Sequence, residues 1–403
     1  MIKKNKNKHF IGLVFFLALF VSKLFAQDTL LIKPFESVTC GNARFDLYLP
    51  LLKNKKVAVV TNVTGLVGKT SIVDTLLKLK VKVVKIFGPE HGFRSNADAG
   101  EKVASSIDKK TGLPIISLYG ANKKPKKEQM AGIDIVIYDI QDIGVRFYTY
   151  ISTMTYMMEA CAETKKKFIV LDRPNPNGFY IDGPVMKDEL KGFLGLHSVP
   201  LVYGMTCGEY AKMVNEEGWM KNRNMCELLV IPMRGYDRNA SYDLPVHPSP
   251  NIPNSTAVLL YPSLGLFEGT IVGLGRGTDK PFQHIGHPDF KDTTYSFIPK
   301  ASKISAKPKY LNEKCYGKDL SKEKYLTLHP RQIELSWIRL MALQLKRADF
   351  FDKYFASHAG NHDLEKQLVS RISLEDIRAS WKAGLDSFKV IRKKYLLYPD
   401  IGQ

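Results

Sequence analysis

Acid is in short supply in this chain. Forty Asp and Glu face 59 Lys and Arg across 403 residues, which leaves a formal charge of +19. Cysteine is scarcer still: Cys40, Cys161, Cys207, Cys226 and Cys315, an odd number at irregular spacing with no C-x-x-C pair. That removes the usual sequence signs of structural zinc and of a dithiol redox centre. One disulfide in an oxidising compartment and buried thiols both stay open. Long apolar runs are lacking too. The longest, residues 11–21, has eleven residues, against the ~20 that a membrane-spanning helix needs. Nucleotide signatures fail on spacing. The stretch TNVTGLVGKT (61–70) ends in Gly68-Lys69-Thr70, but a Walker loop would need glycine where Val63 stands. GLGRG (273–277) is wrongly spaced for a dinucleotide fingerprint and lies far from the first strand. No nucleophile elbow supports Ser-His-Asp chemistry. No cofactor is expected.

What is present begins with a basic N-terminus carrying Lys3, Lys4, Lys6 and Lys8, then the apolar run, then SKLFA ending at Ala26. This reads as a secretory signal peptide over residues 1–26, with an uncleaved anchor as the plainer alternative. No cysteine stands at the cleavage point, so a lipid anchor is not expected. Removing that segment takes five lysines and no acid, so +19 falls to +14. An exported, periplasmic or extracellular protein of that charge suits an acidic polymer. Nucleic acid is not an expected partner there, nor is a membrane once the signal is gone. The lysine clusters at 123–127 and 165–167 read as solvated faces. Oligomeric state is not legible.

Apolar residues make up 44% and charged residues 25% of the chain, an ordinary globular balance. From 55 to 233 apolar runs alternate with helical spacing. Strands are expected at 55–62, 81–87, 114–120, 133–140, 167–172 and 226–233, and helices at 71–79, 149–165 and 208–220, the last capped by Thr206. Continuous apolar strands separated by helices predict an α/β fold, a parallel sheet with helices on both faces. Residues 245–290 are rich in Pro and Gly and read as ordered loops. The remainder changes character, with strand-like SFIPKASKI, a helix in 333–345 and a long amphipathic segment over 374–397, and reads as a smaller α+β domain. The expected division is 1–26, 27–290 and 291–403.

Charge gathers where the predicted strands end, the place where open α/β sheets carry their sites. GPEHG follows the second strand, DIQDIGVRFYTY the fourth and LDRPNPNG the fifth. Glu90 is boxed by Pro89 and His91 between glycines that let a ligand approach the backbone. Glu268, in LFEGT, has apolar neighbours, which raise a carboxyl pKa toward what a general acid needs. Asp139, Asp142 and Asp172 stand at strand ends, and each taken singly is more often a cap or an ion-pair partner. Arg94, Arg146, Arg173 and Arg276 suit two-point recognition of carboxylates, with pairing to neighbouring aspartates an equal alternative. Phe93, Tyr148, Tyr150 and Phe282 offer faces for a sugar. Acids, arginines and aromatics together suit an acidic carbohydrate. His284 and His287, near Asp279 and Asp289, have possible metal spacing, but Gly and Pro around them argue for a loop; no metal is expected.

The motifs FGPEHGFRSNADAGEKV, YDIQDIGVRFYTY, LDRPNPNG followed by DGP, YGMTCGEYA, SPNIPNS, YPSLGLFEGT and GRGTDKPFQHIG run in order over about residues 55 to 290. In these the chain resembles the DUF1343 family, the NamZ-type exo-β-N-acetylmuramidases. The resemblance implies a Rossmann-like main domain, a smaller C-terminal domain, and removal of N-acetylmuramic acid from non-reducing ends of peptidoglycan fragments of the muropeptide or MurNAc-GlcNAc type. It implies Glu90 as catalytic acid, with Glu268 as the second carboxylate. The substrate-binding set is then His91, Arg94, Asp139, Asp142, Arg146, Tyr148, Asp172, Arg173, Asn175, Arg276 and Asp279. Arg94, Arg146 and Arg276 compete for the lactyl carboxylate, and Asp98 and Glu101 are undecided between site and scaffold. A wall-binding protein without catalysis, or a metal-dependent hydrolase or deacetylase using His284 and His287, are the competing functions.

Overall fold

The computed structural model describes residues 38–94, 105–240, 242–322 and 331–402. The expected signal peptide, Asp98 and Glu101 lie outside the described residues.

The apolar runs of the first half become strands β1 (Val57–Thr61), β4 (Val83–Gly88), β6 (Pro114–Ser117), β7 (Ile135–Asp139), β8 (Lys167–Leu171) and β9 (Glu227–Ile231), with two-residue strands β2 (Leu66–Val67), β3 (Thr70–Ser71) and β5 (Ser106–Ile107) between them. All six expected strands are present. They join in the order β5-β6-β4-β1-β7-β8-β9, parallel throughout except for the β5 edge. The parallel strands, counted along the chain, lie 3-2-1-4-5-6, the doubly wound order. Its switch point falls between β1 and β7, where Val57 faces Ile135 and Thr61 faces Asp139. The walker-like stretch forms the β2–β3 hairpin instead, with Gly68 at φ +59°.

Alternation along each strand divides two cores. Val57 and Val59 pack with Tyr48 and Leu52 of α1 (Phe45–Leu52) and with Ile72, Val73 and Leu76 of α2 (Ile72–Lys78). Tyr138 points to the other face and donates its hydroxyl to the Tyr150 carbonyl in α3 (Tyr150–Thr164). Helix α4 (Cys207–Glu216) opens on the expected cap: Thr206 accepts from the Glu209 amide, and Glu209 accepts in return from Thr206 N–H. Two donors are thereby satisfied reciprocally.

The Pro-rich stretch is not all loop. Residues Ser255–Leu264 form helix α5, capped by Asn254 and carrying Pro262 inside. Proline removes the bond that would reach the Val258 carbonyl. Asn177 supplies the missing donor through Nδ2, at 3.2 Å, and bonds the Ile143 carbonyl at 2.8 Å. Further on, β10 (His284–His287), β11 (Ser296–Phe297) and β12 (Cys315–Asp319) make an antiparallel sheet ordered β10-β12-β11. The strand expected in SFIPKASKI is only two residues long, and β10, which precedes residue 291, belongs to this small sheet. Helices α6 (Ser336–Leu345), α7 (Phe355–Ala359), α8 (Asp363–Val369), α9 (Leu374–Ala379) and α10 (Lys382–Lys393) follow. The amphipathic 374–397 segment is thus two helices that meet at buried Trp381.

Arginines bind this smaller C-terminal part to the sheet. Arg146 donates to the carbonyls of Pro184, Val199, His358 and Ala359. Arg238 pairs with Glu209 at 2.6 Å, both fully enclosed, and donates to the Pro399 carbonyl. Tyr398 reaches Asp172 at the end of β8 at 2.7 Å. The five cysteines form no disulfide.

Candidate active site

The loop after β4 is a tight reversal. The Gly92 amide donates to the Pro89 carbonyl, and both His91 (φ +69°) and Gly92 (φ +79°) take left-handed backbone. His91 does so without glycine's freedom, an uncommon conformation at a tolerant residue type. A Cβ at Gly88 would meet the Phe93 amide nitrogen at 3.3 Å, so that glycine serves the folding of the turn rather than ligand approach. The reversal leaves Glu90 half-buried at its apex.

Glu90 is held by hydroxyls. Thr149 Oγ1 donates to its Oε2 at 3.0 Å. Thr149 occupies the N-cap of α3, yet its side chain makes no capping bond. A cap hydroxyl normally satisfies its own helix, worth ~1 kcal/mol; here it is diverted to the carboxylate. Tyr119, beyond the end of β6, also shares a hydrogen bond with Glu90, and burial followed by the charge of Glu90 pushes its phenol up.

From Glu90 an aromatic wall leads to the second carboxylate. Tyr150 feels the charge of Glu90 and meets Tyr148 edge-on at 4.8 Å; Tyr148 meets Tyr261 at 6.0 Å, and Tyr261 meets Phe282 at 5.0 Å. Such tilted pairs are favourable ring geometries. Tyr148 is anchored by its hydroxyl to the Pro248 carbonyl at 2.6 Å, so it forms part of the wall's support. Arg276 lies over Phe282 at 4.9 Å and pairs with Glu268 at 2.6 Å. Tyr261 connects the two acids: burial, then the charge of Glu268, raises its phenol, with Glu90 adding to the rise.

Glu268 sits among basic side chains. Its neighbours are Arg276, His358 Nε2 at 4.0 Å, and Lys309. The Nδ1 of His358 faces the Tyr354 carbonyl at 3.0 Å, which leaves Nε2 toward the carboxylate. Desolvation pushes the Glu268 carboxyl up, as its apolar sequence neighbours suggested. Arg276, His358 and Lys309 outweigh it and bring the carboxyl below the usual range. The expectation of a raised pKa at Glu268 is therefore corrected: it is held ionised. Glu268, Arg276 and Lys309 line a small pocket with Val272, Leu274 and Pro299.

Other expected residues stand elsewhere. Arg94 forms ion pairs with Asp74 at 2.8 Å and Asp108 at 2.9 Å. Arg146 is fully buried among its four carbonyls, which removes it from the candidates for the lactyl carboxylate. Asp139 and Arg173 form a buried pair at 2.6 Å at the end of β7, joined by Asn42. Asp142 accepts from Tyr203 and from the Gly144 amide, and burial pushes its carboxyl to about 6. Asp172 accepts from Thr206, the Gly208 amide and Tyr398; burial raises it to about 6 as well. Asn175 bonds the Met205 carbonyl and the Asn177 amide. These five order the loops at the strand ends. Asp279 is exposed. His284 has both ring nitrogens engaged, by Thr278 at 3.0 Å and Tyr295 at 2.8 Å, and stacks on Phe297. Among the described residues no group of three or more His, Cys, Asp or Glu is placed to hold a metal.

Sequence reasoning passed over Tyr119, Thr149, Tyr261, Lys309 and His358. Thr149 and Tyr261 lie inside motifs already singled out. Lys309 and His358 had no local signal, since only tertiary folding brings them to Glu268.

Comparison with known proteins covers most of this chain. The N-terminal domain of the exo-β-N-acetylmuramidase NamZ family matches residues 57–256 and its C-terminal domain residues 259–398. The peptidoglycan β-N-acetylmuramidase NamZ of Bacillus subtilis is 39% identical over 382 residues, covering 87% of this chain and 89% of that protein. Crystal structures of two DUF1343 family proteins from Bacteroides fragilis superpose with TM-scores of 0.85 and 0.76. They are 42% and 31% identical, and the matches cover 91% and 90% of this chain and 100% and 99% of theirs. By these domains and this identity, the chain belongs to the exo-β-N-acetylmuramidase NamZ family.

Proposed function

We propose that this chain is an exo-acting glycoside hydrolase that releases N-acetylmuramic acid from non-reducing ends of peptidoglycan fragments. The observation that carries the reading is the pair of glutamates on one aromatic wall, with Glu90 among hydroxyls and Glu268 among cations. Glycosidases need two carboxyl roles, and contrasting surroundings separate them.

Glu90 donates its proton to the glycosidic oxygen as the bond from C1 to that oxygen breaks. Thr149 and Tyr119 fix the orientation of its carboxyl. Glu268, ionised, faces the positive charge that develops at C1, or orients the 2-acetamido group if that group attacks first. Water then adds to C1, and its proton restores Glu90. Arg276 and Lys309 line the pocket beside Glu268 and supply the charge that the lactyl carboxylate requires. Of the three arginines that competed for this role, Arg276 alone lines that pocket. The buried rings of Tyr148, Tyr150 and Tyr261 back the wall between the two acids.

A chromogenic β-N-acetylmuramide tests this directly. Wild type is expected to release the chromophore, and Glu90→Gln, at unchanged circular dichroism, is expected to cleave a muramyl disaccharide, whose leaving sugar needs a proton, ~10²–10⁴-fold more slowly. Normal turnover of the disaccharide by Glu90→Gln would remove Glu90 from the chemistry. Muropeptide binding without product in wild type would favour the binding-protein alternative. Export is part of the same proposal, supported by the basic and apolar pattern of residues 1–26. Protein recovered outside the cytoplasm is expected to begin at Gln27, and retention of residues 1–26 would refute cleavage.

A further inference from the structure

The sheet has a second charged edge, opposite the catalytic one. Three turns that lead into parallel strands carry paired lysines: Lys55 and Lys56 before β1, Lys80 and Lys82 before β4, Lys165 and Lys166 before β8. Because β4, β1, β7 and β8 are neighbours in the sheet, these turns lie side by side. Asp134, in the turn before β7, shows their convergence. It accepts from the Lys56 amide at 2.8 Å, and that bond, with the charges of Lys55, Lys166 and Lys56, holds its carboxyl below the usual range. Lys127 joins Lys165 and Lys166 around a shallow basin on this edge, with Glu128 and Glu163 also on its rim. Of the acids nearby, Glu163 pairs with Lys124 at 2.6 Å and Glu227 with Lys167 at 2.9 Å. Large apolar side chains protrude among the lysines. Leu51, Leu79 and Met225, in the segments leading to β1, β4 and β9, are 37%, 46% and 61% exposed.

We propose that this amino edge of the sheet is a peripheral docking face for an anionic lipid bilayer. The lysines are dispersed point charges, suited to a field of headgroups rather than to one bound anion. The protruding Leu and Met side chains give an apolar component that a bilayer interface can receive and a hydrated polyanionic glycan cannot. Docking this way turns the carboxyl edge, with Glu90 and Glu268, toward the aqueous side. The sequence reading expected no membrane partner for the mature chain. The attachment proposed is peripheral, and among the described residues no helix is long and apolar enough to cross a membrane.

Flotation of the full chain with extruded vesicles tests it, comparing phosphatidylcholine alone with phosphatidylcholine containing ~30% phosphatidylglycerol. Binding to the anionic vesicles is expected at ~50 mM salt and lost at ~500 mM, because exposed charges are screened. Zwitterionic vesicles are expected to capture little. Each lysine near an anionic surface contributes roughly fivefold, so the triple variant Lys55→Glu, Lys80→Glu, Lys166→Glu should partition at least ~100-fold more weakly. The N-terminal segment is identical in both chains, so this difference belongs to the edge. Turnover of a soluble chromogenic substrate should be unchanged, which also shows the variant folded. Equal capture of wild type and variant, capture insensitive to salt, or equal capture by zwitterionic vesicles would overturn the proposal. Binding to isolated wall glycan with none to anionic vesicles would overturn it in favour of a polymer surface.

Discussion

Replacing Arg276 by Met should move the acid limb of the pH–rate profile upward. In the wild-type chain Glu268 is recessed, about a quarter exposed, and desolvation alone would raise its pKa. Arg276, 2.6 Å away, gives the largest opposing contribution, ahead of His358 and Lys309. Two unit charges ~4 Å apart interact by ~4 kcal/mol at an effective dielectric near 20. Partial exposure reduces that, and His358 and Lys309 remain. The expected rise is therefore about one to two pH units, or ~1.4–2.7 kcal/mol of protonation free energy. The sign follows from linkage. A carboxyl depressed in the folded state is ionised above its low pKa, and the benefit is lost as pH falls through it. With Arg276→Met that loss comes at higher pH, while Arg276→Lys should leave the limb within ~0.5 unit because the charge persists. The assay is kcat/KM on a chromogenic β-muramide across the acidic and neutral range. KM should rise as well, but the position of the limb is the readout. A Met variant whose profile matches wild type after scaling would refute the claim that Arg276 keeps Glu268 ionised.

Other perturbations follow from the same contacts. Thr149→Val removes the hydroxyl donor to Glu90 and should lower kcat about tenfold, with little change in thermal stability because that hydroxyl does not cap α3. Asn177→Ala leaves the Val258 and Ile143 carbonyls without their donor and should cost about 2 kcal/mol in urea unfolding. Arg146→Met strips four buried carbonyls of a donor and should lower stability by about 3 kcal/mol or more, whereas a ligand-contact role would instead leave stability intact and raise KM.

The sheet was legible because its strands are buried on both faces. VAVVT and IVIYD are apolar at almost every position, and few other elements tolerate that. Thr206 marked α4 through local capping chemistry. Helix α5 was hidden because Pro262 contradicts a helix locally, and the donor that permits it comes from Asn177, far away in sequence. The amphipathic C-terminal segment kept one period through its break, so pattern alone did not reveal the turn at Trp381. At the site, Glu90 and Glu268 stood out as acids in unusual settings. Their surroundings did not. Apolar sequence neighbours suggested a raised Glu268, but Arg276, Lys309 and His358 set its charge from three different segments. Arg146 shows the converse: a charged residue inside a motif read as a ligand contact, because burial and backbone partners leave no mark on sequence.

The central claim is that Glu90 protonates the leaving group while Glu268 stays anionic. It is tested most directly by the leaving-group dependence of Glu90→Gln. A muramyl disaccharide, whose departing sugar needs a proton, should be cleaved about 10³-fold more slowly than by wild type. A dinitrophenyl muramide, whose leaving group departs without protonation, should be slowed by less than about tenfold. Equal losses on the two substrates, or undiminished cleavage of the disaccharide, would contradict the assignment.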